Sequence, residues 1–340
     1  MSRLSPELER FFSTAQQELD HVLRALIAPH EDPIPNLDDG LAYSLGLDAE
    51  AAGQGKRLRP ALCLLVSHLL CGDSRPAMPF AAAIEFMHNF CLVHDDIEDG
   101  DEFRRGRPAV WKKYGLPHAI NIGDYLFTKI FAALLTGLGD VSHEKLVRFF
   151  ALMSATLDHT HRGQALDINA RTGPMNLDRY MRLVTEKTGY YLAAPLVAGA
   201  IAADASSEIE EALNSFGMFI GPLFQIKDDM IDLTDSKGRE AIGSDIREGK
   251  RSYFVAFACE HAKPEQVARL TQILDLPRAE TTPELVKEAI GIFETEGAFA
   301  EARRICGELK QNALGALAPL PHKLRDALRE VTEYLADRTA

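Results

Sequence analysis

Several large protein classes are excluded by what the sequence has little of. Its five cysteines, Cys63, Cys71, Cys91, Cys259 and Cys306, are odd in number and scattered, with no C-x-x-C pair. Neither a disulfide framework nor a zinc site is therefore expected, and a reducing, cytoplasmic setting fits best. No apolar run reaches the roughly 18 residues that a membrane span needs. The richest stretch, Tyr190 to Ala203, is short and interrupted by Pro195. Positive charge is in deficit, 37 Lys and Arg against 50 Asp and Glu, for a net charge of -13. That balance disfavours a nucleic-acid partner, because neutralising phosphates requires a basic surface. Clean period-two alternation is missing, and so are fixed-period repeats, low-complexity tracts and Ser/Gly linkers. The opening MSRLSPELERFFSTAQQELD is amphipathic and acidic, not basic and then apolar, so no signal peptide is expected.

What is present is helical pattern. Apolar residues recur three and four apart, as in Leu62, Leu65, Val66 and Leu69, or Phe149, Leu152 and Met153. Breaks rich in glycine and proline divide the chain into roughly ten or more helices of ordinary length. With 340 residues, 46% of them hydrophobic, a large core is within reach. The expectation is an all-α fold in a single domain over residues 1–340.

Two acidic clusters stand at the ends of apolar helices. The first, His94-Asp95-Asp96-Ile97-Glu98-Asp99, follows the run from Ala81 to Val93. The second, Asp228-Asp229-Met230-Ile231-Asp232, follows Phe219 to Ile226. Within each, the first and last aspartates are four apart and share a helical face. Like charges there, at the negative end of a helix dipole, cost stability unless a cation neutralises them. A single such cluster is equally a solvated helix end; two can face each other across a bundle. Carboxylates are hard ligands suited to Mg²⁺, which readily bridges to phosphate oxygens.

Basic groups bracket the first cluster. Phe103-Arg104-Arg105-Gly106-Arg107-Pro108 follows it, offering planar guanidiniums for bidentate phosphate contact. Upstream, Gly55-Lys56-Arg57-Leu58-Arg59-Pro60 opens a helix, where free N–H groups favour an anion, and Lys56 and Arg59, three apart, are expected on one face.

These motifs in this order resemble the trans-type isoprenyl diphosphate synthases, or polyprenyl synthetases. They are GKRLRP (55–60), HNFCLVHDDIEDGDEFRRGRP (88–108), GQALD (163–167), EKT (186–188), FQIKDDMID (224–232) and GSDIREGKRS (243–252). The resemblance implies an α-helical bundle around a deep central cavity, a homodimer, and two diphosphate sites at the cavity mouth. It implies that three Mg²⁺ bridge Asp95, Asp99 and Asp228 to the allylic diphosphate, with Arg104, Lys187 and Lys250 adding positive charge. Asp96, Asp229 and Asp232 would support or complete the metal shell. Isopentenyl diphosphate would be held without metal by Lys56, Arg59, His88 and Arg105. Thr188 and Gln225 match positions beside the reacting carbon, and EKTG falls at an expected helix break before Gly189. Where the family has a lysine before Gly243, this chain has Glu240 and Ala241; either Arg239 or Lys237 reaches in instead, or the site has one cation fewer.

Product length should follow from the cavity floor. Phe90 and Cys91 lie one turn before Asp95 on the same wall, with Met87 and Phe86 a turn deeper. This points to a product of about fifteen to twenty-five carbons, geranylgeranyl diphosphate being the expectation. Two other readings are a class I terpene cyclase, which has no use for Lys56, Arg59 and Arg105, and a non-catalytic partner subunit, which could dispense with one aspartate cluster.

Overall fold

The computed structural model describes residues 4–28, 31–48, 55–136, 141–173, 175–234 and 242–337. Sixteen α-helices occupy most of them: α1 (Pro6–Leu26), α2 (Asp38–Ser44), α3 (Leu58–Cys71), α4 (Met78–Asp99), α5 (Val110–Tyr114), α6 (Leu116–Leu135), α7 (His143–Ala170), α8 (Leu177–Val184), α9 (Tyr190–Ala202), α10 (Ser207–Thr234), α11 (Ser244–Arg247), α12 (Tyr253–His261), α13 (Pro264–Leu274), α14 (Pro283–Thr295), α15 (Ala298–Ala316) and α16 (His322–Asp337). The all-α expectation holds.

Local chemistry sets the boundaries. Ser5, Ser142, Asn176 and Thr282 cap α1, α7, α8 and α14 by accepting a backbone N–H with their side chains. Gly72 and Gly100, both left-handed, end α3 and α4. The core forms where the apolar faces meet. One cluster gathers α1 to α4, α6, α7 and α9; a second gathers α8, the C-terminal part of α10 and α11 to α15; a third joins α3, α9, α10, α15 and α16. Helix α9 is buried from Tyr191 to Ala202 without exception. Pro195 does not break it: packing on every side outweighs the one backbone bond it forfeits.

Two departures from regular helix matter for the site. The segment after α4 is a two-stranded hairpin, Phe103–Arg104 against Arg107–Pro108, and not a plain loop. Its turn residues Arg105 and Gly106 both have positive φ, as a two-residue primed turn requires. The expected break at EKTG is instead a π-helical turn, Thr185–Gly189, which joins α8 to α9 without a gap. Two glycines let neighbouring helices touch its backbone. A Cβ on Gly163 of α7 would lie 2.3 Å from the Lys187 nitrogen, and one on Gly221 of α10 would lie 2.5 Å from the Gly189 Cα.

Candidate active site

Helix α4 ends in the first acidic cluster, and its two faces are used differently. Asp95 and Asp99 line a polar cavity of about 170 Å³ together with Asp228, Lys187, Thr188, Gln225, Arg104 and Lys250. Asp96 points the other way and is 2% exposed. It accepts two hydrogen bonds from Arg104, that from Nε at 2.8 Å, and so aims that guanidinium. Burial pushes the Asp96 carboxyl up to about 6 despite the pull of Arg104.

Cations crowd the cavity-facing pair. Burial raises the Asp95 carboxyl, Lys187 opposes that, and the charge of Asp99 adds to it. Asp99 also pays a desolvation cost, which Lys250, Lys187 and Arg171 outweigh, so its carboxyl lies well below the usual range. Lys250 Nζ is 3.1 Å from Asp99 Oδ2, and Arg171 bonds Oδ1. Lys187 Nζ donates to Asp167 at 2.8 Å; burial works against its charge, but Asp95 and Asp167 prevail and raise its pKa.

The second cluster repeats the spacing with another outcome. Asp228 and Asp229 line the cavity and Asp232 does not. Asp229, 4% exposed, accepts from Tyr180 Oη at 2.8 Å, from the Tyr253 N–H at 2.9 Å and from Gln225 Nε2 at 2.9 Å. Asp232, 1% exposed, accepts from Ser244 Oγ at 2.5 Å and from the Asp245 N–H at 3.0 Å, tying the start of α11 to α10. Gln225, so anchored, has its Oε1 3.5 Å from the Thr188 hydroxyl.

A second cavity, of about 210 Å³, adjoins the first and shares Asp95, Lys187, Thr188 and Gln225 with it. Arg59 and His88 stand on its wall with Tyr191, and Phe90 and Cys91 line its apolar part. His88 bridges Arg59, Nε2 to Nη1 at 3.4 Å, and the Tyr191 hydroxyl, Nδ1 to Oη at 3.2 Å. Its pKa falls well below the ordinary value through burial, and then through the guanidiniums of Arg59, Arg105, Arg104 and Arg57. A neutral histidine among arginines marks a pocket of strong positive potential. The Arg105 guanidinium lies against Gly55, where a Cβ would come within 2.7 Å of it.

Two placements differ from the sequence reading. Lys56 precedes α3, so it shares no helical face with Arg59; it is exposed, with Nζ 3.5 Å from the Tyr334 hydroxyl of α16. Met87 is fully buried and lines neither cavity. Phe90 closes the apolar part among rings, 4.9 Å from His94, 5.4 Å from Phe127 and 5.9 Å from His161. Lys237, Arg239, Glu240 and Ala241 lie outside the described residues.

Three residues escaped the sequence reading. Tyr191 could have been found from its place three residues after Thr188 on a helical face. Arg57, in left-handed conformation and 3% exposed, bonds Glu85 at 2.6 Å, Asp20 at 3.2 Å and the Leu45 carbonyl at 2.5 Å, locking α3 to α1 and α4. Arg171, just past α7, gave no signal.

The donor set suits a hard cation: Asp95, Asp99 and Asp228 present carboxylates alone to one polar cavity. Asp99 also lies within 4.8 Å of Asp101 and Glu248, but there Arg278 stands 3.1 Å from Asp101 and Lys250 2.7 Å from Glu248, which offsets much of the acidity.

Comparison with known proteins accords with this geometry. The sequence model of the family described as polyprenyl synthetase matches residues 47–293. The short chain isoprenyl diphosphate synthase of Methanothermobacter thermautotrophicus is 38% identical over 289 residues, 84% of this chain and 86% of its own length. Geranylgeranyl pyrophosphate synthetase from Pyrococcus horikoshii superposes with a TM-score of 0.85 at 32% identity, covering 98% of this chain and 99% of that one. A geranylgeranyl pyrophosphate synthase from Corynebacterium glutamicum, solved with isoprenyl diphosphate and magnesium, gives 0.83 at 25% identity, covering 97% and 99%.

Proposed function

The chain belongs to the polyprenyl synthetase family, and from that premise we propose that it condenses isopentenyl diphosphate with an allylic diphosphate to form a short all-trans prenyl diphosphate, geranylgeranyl diphosphate above all. The observation that carries this reading is the meeting of two cavities, one walled by carboxylates and one by Arg59, His88 and apolar side chains, at Lys187, Thr188 and Gln225. The first fits a metal-bridged diphosphate and the second fits a bare diphosphate beside a prenyl tail.

Asp95, Asp99 and Asp228 would hold the Mg²⁺, three ions in our reading, with Asp229 and Asp232 setting the backbone behind Asp228. Bound, the ions would supply charge that stabilises the departing diphosphate. Arg104, aimed by Asp96, with Lys187 and Lys250, orients that same group and adds positive charge where negative charge develops. The Lys187 carbonyl and the Thr188 hydroxyl, both within the π turn, would stand beside the reacting carbon and stabilise its positive charge. Lys56, Arg59, His88 and Arg105 fix isopentenyl diphosphate so that its double bond faces that carbon. The released diphosphate takes the proton. Phe90 and Cys91 set the floor and so the length.

The assembly read as most consistent with this is a homodimer of single-domain chains: α6 and α7 present Phe131, Leu135, Val147 and Phe150 to solvent, Leu135 at 62% and Val147 at 66% exposure. No helix among the described residues is long and apolar enough to cross a membrane; a cytoplasmic setting is the proposal.

The test incubates purified protein with Mg²⁺, isopentenyl diphosphate and, separately, dimethylallyl, geranyl and farnesyl diphosphates, and resolves the dephosphorylated products by length. Linear prenols in a short range are expected. Cyclic hydrocarbons formed without isopentenyl diphosphate would transfer the chain to the cyclases, and no product from any primer would make it a partner subunit.

A further inference from the structure

Asp99 is claimed from both sides. Lys250 Nζ sits 3.1 Å from Oδ2 and Arg171 bonds Oδ1, in a setting that leaves the Asp99 side chain only 5% exposed. The two cations differ in what else they have. Lys250 also reaches Glu248 at 2.7 Å and Asp245 at 3.8 Å, so it keeps carboxylate partners if Asp99 is taken from it. Among the described residues, Asp99 is the one carboxylate in ion-pair range of Arg171. The Arg171 Nε is buried and has no hydrogen-bond partner.

Its support, by contrast, is rigid. The Arg171 carbonyl accepts from Arg251 at 2.7 Å, and Arg251 is in turn held by Asp275 at 2.7 Å and by the Gly249 carbonyl at 2.9 Å. Arg171 therefore stands at the C-terminus of α7, on a fixed base, with a guanidinium whose charge partner is a proposed metal ligand.

We propose that Arg171 is a positioning residue that competes with the divalent ion for Asp99 and passes to the allylic diphosphate when metal and substrate load together. The inference rests on the reading given above and deepens it. A divalent ion arriving alone must displace a guanidinium that has no other carboxylate in reach, which opposes binding. Arriving with a diphosphate, it brings the anion that Arg171 then bonds, through a bidentate fork suited to phosphate. Metal and diphosphate binding are thereby coupled, and such coupling is reciprocal.

The experiment titrates Mg²⁺ alone into the full-length wild type, R171Q and R171K, by calorimetry and by the fluorescence of the sole tryptophan, Trp111, whose Nε1 donates to the Asp101 carbonyl at 2.7 Å. R171Q is expected to bind Mg²⁺ at least about five-fold more tightly than wild type, the lower end of typical coupling between sites. R171K, which keeps the charge, should stay near wild type. At saturating Mg²⁺, R171Q should raise KM for the allylic diphosphate several-fold and leave KM for isopentenyl diphosphate unchanged. Equal or weaker Mg²⁺ affinity in R171Q overturns the competition, and an unchanged allylic KM overturns the transfer. Failure of the underlying reading shows differently, as wild-type protein that makes no prenyl product from any primer.

Discussion

The two aspartate clusters share one sequence pattern and divide its labour unequally. At the end of α4, Asp95 and Asp99 face the polar cavity while Asp96 is turned inward to hold Arg104. At the end of α10, Asp228 faces the cavity, whereas Asp229 and Asp232 serve as internal acceptors for groups from α8, α11 and α12. The difference teaches that spacing fixes which residues share a helical face, but the neighbours of that face decide whether it meets solvent-filled space or buried donors.

The contrast can be pressed by substitution. The largest effect is expected from Asp95→Ala, which removes a proposed metal ligand: turnover should fall by about a thousand-fold or more, about 4 kcal/mol of transition-state stabilisation, with thermal stability kept. Steady-state rates near wild type would remove the metal role from the first cluster. Asp229→Ala should act on folding instead, costing about 3 kcal/mol by stranding the donors of Tyr180, Tyr253 and Gln225, read as a drop in the urea midpoint. Asp232→Ala, which loses the tie to α11, should cost about 1–2 kcal/mol by the same measurement. If it abolished Mg²⁺ binding with stability intact, the two clusters would be equivalent after all. The smallest energetic change is expected from Phe90→Ala, where opening the floor should shift the product profile by one or more five-carbon units; an unchanged chain-length distribution would place the floor at another residue.

Much of this was legible in the sequence, for identifiable reasons. Helices announce themselves by apolar spacing, and the cavity-facing acids by falling at the ends of apolar runs, because both depend on residues near one another in the chain. Arg104 and Arg105 were legible for the same reason. The hidden features all depend on distant partners. Asp229 looks like a ligand until Tyr180 and Tyr253 are brought to it. Lys56 looks paired with Arg59 until α3 is seen to begin two residues later. Arg171 carries no motif, and only the end of a long helix places it beside Asp99.

The π turn at Thr185–Gly189 has one more consequence. Each α-helical residue turns the chain by roughly 100°, so a π turn works as a one-residue insertion that offsets the angular phase of everything beyond it. Helices α8 and α9 are two gears on one shaft, set out of step at the point where Gly163 and Gly221 grip it. That offset lets Lys187 and Thr188 line the cavities while Tyr191 still meets His88. Deleting a single residue here would leave the rod helical and turn the wall of the reaction chamber away from its contents.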